Sequence, residues 1–119
     1  MKKIYHNKLV RDKIPEIIKS RGGNFETKTV SKEEISLLLK RKLIEESKEV
    51  YKSSHKSLMF ELADVLQIVR SIVKTEGYQF KDLHSKLKEK AKSNGEYDKG
   101  IFLVWTDKPK GYGDKVTKQ

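Results

Sequence analysis

The chain has 119 residues, of which 35% are apolar and 37% charged, with no cysteine and a formal net charge of +10. That length holds one domain with a modest core, which association between subunits would supplement. Disulfides and thiolate metal sites are excluded, a reducing compartment fits, and the basic excess suits a polyanionic partner: nucleic acid, a membrane surface or a small phosphorylated ligand.

In chain order, MKKIYHNKLVRD is basic but lacks the apolar run of a signal peptide and reads as extended or irregular. Asp12 is placed to cap a short helix with Pro15 in its first turn, Ile14, Ile17 and Ile18 on one face, and Gly22–Gly23 as its end. Residues 24–30 alternate weakly and suit a short strand or an extended linker. Ser31 and Glu34 then form a capping box, with Val30 and Ile35 at the positions of a hydrophobic staple. The second helix runs through Ile35, Leu38, Leu39 and Leu43 to end near Ser53–Ser54. A third is predicted from about Ser57 to Glu76, with Gly77 following its cap. Eleven of the sixteen residues in Leu58–Val73 are apolar, which predicts burial nearly all round. The same stretch is interrupted by Glu61, Asp64, Gln67 and Arg70, so it does not read as a membrane span. A fourth helix is expected over about Phe80–Lys92, ending at Asn94–Gly95, followed by a strand or extended packing segment at Ile101–Trp105. The expectation is an all-α fold, a small bundle of about four helices with a short extended C-terminal segment. The domain would cover residues 1–105, with a mobile tail at 106–119, in a soluble cytoplasmic protein.

Two acidic clusters stand out against the basic background: EESKE at Glu45–Glu49 and ELAD at Glu61–Asp64. On helices, Glu46 and Glu49 share a face, and so do Glu61 and Asp64, because residues three apart are neighbours. Glu45, four residues before Glu49, widens the first stripe. If the helices pack antiparallel, the stripes converge on a hard divalent ion. An EExxE string alone usually marks a solvated, salt-bridged face. ELAD is more informative, since Asp disfavours helix interiors and a carboxylate in a buried helix must be paired, protonated or metal-bound. A salt bridge to a nearby Lys or Arg is the bland alternative. Together the clusters point to a metal-dependent enzyme acting on phosphates.

EExxE followed by ExxD on the next helix resembles the MazG-like branch of the all-α nucleoside triphosphate pyrophosphohydrolases. That superfamily includes the dimeric dUTPases and the phosphoribosyl-ATP pyrophosphohydrolase of histidine synthesis. NKLVRDKIPEII at Asn7–Ile18 is similar to the opening of a subgroup of small MazG-like proteins, and KEKAKSNGEYDKGIFL at Lys88–Leu103 to its closing segment. The resemblance covers about residues 5–104. Two departures are the short spacing of eleven residues between Glu49 and Glu61, which demands a tight connection, and Tyr97 where a Phe is common.

The resemblance implies that Glu46, Glu49, Glu61 and Asp64 ligate Mg²⁺, with Mn²⁺ able to substitute. Glu45 would hold a second ion or the attacking water. The implied reaction splits a nucleoside triphosphate or related nucleotide between the α and β phosphates, in a house-cleaning or nucleotide-pool role. Lys8, Arg11, Lys13, Lys90 and Lys99 are the candidate phosphate contacts. No Ser, Cys or His nucleophile is needed, and His6, His55 and His84 read as surface residues. Tyr97 and Trp105 suit packing better than base stacking. The expected assembly is a homodimer or homotetramer, with no membrane partner. The rivals are a basic helical module that binds nucleic acid and a catalytically silent regulatory subunit that retains the fold.

Overall fold

The computed structural model describes residues 2–107, which contain four helices and no strand. The chain is all-α. The expected tail at 106–119 falls almost wholly outside the described residues. Two compact units divide at Phe80 and Lys81, the first carrying the acidic clusters.

In the first unit, helix α1 spans Ile14–Ser20, with Lys13 rather than Asp12 at its N-cap. The cause is local: the Arg11 carbonyl accepts the Ile14 N–H at 3.0 Å, closing a turn over residues 12 and 13 that replaces a side-chain cap. The helix ends as its glycines predict. Gly22 N–H donates to the Lys19 carbonyl and Gly23 N–H to that of Ile18, the paired bonds of a Schellman motif. Residues 24–30 form no strand and have no regular secondary structure.

Helix α2 spans Lys32–Lys52, capped by the Ser31 hydroxyl, which accepts the Glu34 N–H at 3.2 Å. Helix α3 spans Leu58–Thr75. The turn between them is fixed by reciprocal serine bonds: Ser57 N–H donates to the Ser54 hydroxyl at 3.3 Å and Ser54 N–H to that of Ser57 at 3.2 Å. So short a connection forces the two helices back along each other. Ser36 and Lys40, early in α2, meet Glu76 just past α3, whereas Glu46, late in α2, meets Glu61 and Asp64 early in α3. The pair is therefore antiparallel. At the far end of α3, Gly77 adopts φ +86°, with its N–H and that of Tyr78 donating to Lys74 and Val73. Arg70 lies over the Phe80 ring, 4.3 Å from its centroid.

Leu39 of α2 and Ile68 of α3 are the buried apolar residues. Here α3 departs from expectation, because it is not buried nearly all round. Met59 and Phe60 are 67% and 78% exposed, and Leu66 is open as well. Apolar content reports what a helix can bury; α2 packs on α3 and covers one side of it.

Helix α4 spans Phe80–Asn94, all but its first residue in the second unit, and ends at Gly95, whose φ is +84°. Ile101–Trp105 forms no strand and is exposed, and Tyr97 is exposed too, so these residues do not pack as expected.

Candidate metal centre

The antiparallel α2–α3 pair determines which carboxylates meet. One oxygen each from Glu46, Glu61 and Asp64 lies within 4.8 Å of the others, and all three residues are half-buried. Glu61 and Asp64 come from one turn of α3 and Glu46 from the facing turn of α2, so the cluster bridges the helices. Three hard oxygen donors at this spacing can hold a metal ion. These acids do not sit in a buried helix, as ELAD had suggested. Asp64 keeps a side-chain exposure of 42%, which leaves the cluster open to ligands from solvent.

The electrostatics match the crowding. The proton affinity of Glu61 is raised from its ordinary 4.5, first by desolvation and then by the charges of Asp64, Glu49 and Glu46. A cation among these oxygens removes that penalty.

Glu49, expected as a fourth ligand, lies outside the three-oxygen cluster. Its charge still reaches Glu61, but its carboxylate pairs with Lys52 at 3.4 Å, one turn farther along α2. Glu45 is exposed and lines a separate cavity beside Lys8.

Arg11 supplies the salt bridge to a basic residue that stood as the alternative reading of ELAD, although the pair is exposed rather than buried. Its guanidinium donates to a carboxylate oxygen of Asp64 at 2.8 Å. The segment before α1 thus supplies a positive group at the edge of the acidic cluster. Lys8 lines the cavity with Glu45, whereas Lys13 is exposed at the start of α1. Lys90 and Lys99 are exposed residues of the second unit. His6, His55 and His84 are all on the surface, as expected.

The cavity is also lined by Arg41 and Lys42, which belong to neither acidic motif. Lys42 stands four residues before Glu46, a spacing that places both on one helix face and could have marked it. No helix among the described residues is long and apolar enough to cross a membrane. Comparison of the chain with family models, curated proteins and solved structures found no match.

Proposed function

We propose that the chain is a Mg²⁺-dependent nucleotide pyrophosphohydrolase, cleaving between the α and β phosphates to give a monophosphate and pyrophosphate. The observation that carries this reading is the convergence of Glu46, Glu61 and Asp64 from two helices within 4.8 Å. The MazG-like resemblance of EExxE, ExxD and NKLVRDKIP agrees with it.

The donor set fits the ion. Carboxylate oxygens are ligands that Mg²⁺ prefers, and the cluster offers three of them. Glu46, Glu61 and Asp64 would hold it. When bound, Mg²⁺ neutralises phosphate oxygens and acidifies a coordinated water.

The remaining chemistry belongs to the chain. In hydrolysis, the water oxygen bonds to phosphorus, the bridging P–O bond breaks and one proton is released. Glu49 and Glu45, outside the three-oxygen cluster, are the carboxylates left to accept that proton. Arg11, within 2.8 Å of Asp64, is placed to turn its fork of donors to a phosphate oxygen. No covalent intermediate on the protein is required, because positioning and charge stabilisation dominate phosphoryl transfer.

A panel of nucleotides assayed for pyrophosphate release, with and without Mg²⁺, is the test. Release from at least one nucleotide, abolished by chelation, is expected. Salt-sensitive binding to DNA or RNA with no turnover across the panel would replace this reading with a nucleic-acid-binding module.

A further inference from the structure

The acidic cluster leaves a neighbouring group of cations without a role. A cavity of about 140 Å³ opens between Asn7, Lys8 and Leu9 and the α2 face that carries Leu38, Arg41, Lys42 and Glu45. A water needs about 10–15 Å³ on the same measure, so the space takes a group of several non-hydrogen atoms. Asn7 adopts φ 47°, a left-handed conformation that asparagine tolerates better than most residues. Asn7, Lys8 and Leu9, three consecutive residues, line one wall.

Charge is the unusual feature of this cavity. Among the described residues, Lys8, Arg41, Lys42 and Glu45 form no ion pair. Three cations therefore share one space with a single carboxylate, beside the half-buried Leu9 and Leu38. Like charges held together beside apolar walls repel unless an anion joins them. No aromatic ring lines the cavity, so it offers nothing for a nucleobase to stack on. Its chemistry suits a phosphate group, held by the fork of Arg41 and the point charges of Lys8 and Lys42.

We propose that this cavity is a phosphate subsite, in which Arg41 and Lys42 act with Lys8 on the distal phosphates of the nucleotide. The assignment rests on the pyrophosphohydrolase reading above. Lys42 and Glu46 share a helix face, about 6 Å apart along the axis, so one extended polyphosphate can meet both. The distal phosphates are those that depart as pyrophosphate. The cations would therefore stabilise the negative charge that grows on the leaving group.

Pyrophosphate binding to the full chain in metal-free buffer, followed by calorimetry, tests the subsite directly. The Arg41→Gln/Lys42→Gln double variant is expected to lose roughly tenfold or more in affinity. Lys42→Arg, which keeps the charge, should retain binding. Arg41→Gln alone alters an exposed side chain and should lose part of the affinity in a chain whose fold circular dichroism finds unchanged. Lys19→Gln/Lys28→Gln removes the same charge elsewhere and should bind like the parent. Equal losses in the two double variants would mean diffuse attraction to a basic surface and would overturn the subsite. So would a parent that does not bind pyrophosphate.

Kinetics separate the two sources of phosphate. If Arg41→Gln/Lys42→Gln loses pyrophosphate affinity but keeps the parent's kcat/KM, the anion is a separate ligand and the leaving-group role is overturned. If the parent binds pyrophosphate through Arg41 and Lys42 but hydrolyses no nucleotide, the hydrolase reading and the leaving-group assignment fail, and the phosphate-binding cavity stands.

Discussion

Glu61 is the residue at which charge and fold conflict, and the conflict gives a pH signature. Its carboxyl holds a proton more tightly in the folded chain than its ordinary value of 4.5, through desolvation and then the charges of Asp64, Glu49 and Glu46. An acid with a raised folded pKa binds more protons folded than unfolded, so its contribution to stability falls as pH climbs from 4.5 through the raised value. In metal-free buffer, the parent's melting temperature should carry this downward component. Glu61→Gln should remove it, and saturating Mg²⁺ should oppose it above the raised value. A Glu61→Gln protein with the parent's pH slope would show that the cluster does not strain the fold. In turnover, Glu46→Gln, Glu61→Gln and Asp64→Asn should each weaken Mg²⁺ binding and lower the rate roughly tenfold or more. Glu49→Gln should cost less Mg²⁺ affinity, since Glu49 lies outside the three-oxygen cluster; equal losses in all four would restore it as a ligand. Arg11 gives a contrast of opposite sign. Its pair with Asp64 is exposed on both sides, at 59% and 42%, so Arg11→Ala should change stability by only about 0–1 kcal/mol. The same change frees Asp64, so Mg²⁺ affinity should hold or rise while KM for the nucleotide increases. Titration of Mg²⁺ and steady-state kinetics on one preparation would show whether the two move apart. The i, i+3 acidic pairs were legible in the sequence because helical pitch fixes them. Helical pitch equally allows the Glu49–Lys52 pair, three residues apart on α2, but it could not show that Arg11 crosses to Asp64, which depends on where the N-terminal segment lies.

At the scale of elements, the helix ends were legible where a side chain or a glycine enforces them. Ser31 accepts the Glu34 N–H at 3.2 Å, and Ser31→Ala should destabilise α2 by about 1 kcal/mol, seen as a lower melting temperature with the metal site intact. Gly77 at φ +86° should cost about 1 kcal/mol or more on replacement by Ala, because a Cβ disfavours the left-handed region. Nothing lies within 4 Å of a Cβ added there, so that cost would be conformational alone. If Gly77→Ala melts like the parent, the α3 end is not held in the left-handed form. Asp12 does not cap α1, because a residue type favourable at N-caps also suits turns. The Arg11–Ile14 bond then decided the matter in favour of the turn. The serine connection was legible only in outline: the spacing demanded tightness, while the reciprocal Ser54–Ser57 bonds that supply it depend on how the backbone turns between the helices.

For the whole molecule, the exposed apolar surface of the first unit is the remaining problem. Ile44 and Tyr51 on α2, with Met59, Phe60 and Leu66 on α3, are open to solvent, while Leu39 and Ile68 alone are buried among the described residues. Two buried side chains are too few for a stable small core, since full burial of each contributes only about 1.5–3 kcal/mol. The apolar run in α3 thus asks for a cover that α2 does not supply. A second copy of the chain is the cover we predict, because a twofold dimer presents the same patch to itself and closes without further growth. The net charge of +10 opposes association, so the contact should be driven by apolar burial and strengthen with salt. Light scattering at micromolar concentration should report a mass at least twice 13.9 kDa. Phe60→Glu, which places a charge on the most exposed of these α3 residues, should shift the protein toward the monomer and lower its melting temperature. Phe60→Leu should keep both near the parent. A parent that is monomeric and fully active at that concentration would eliminate the dimer and leave the exposed face of α3 unexplained.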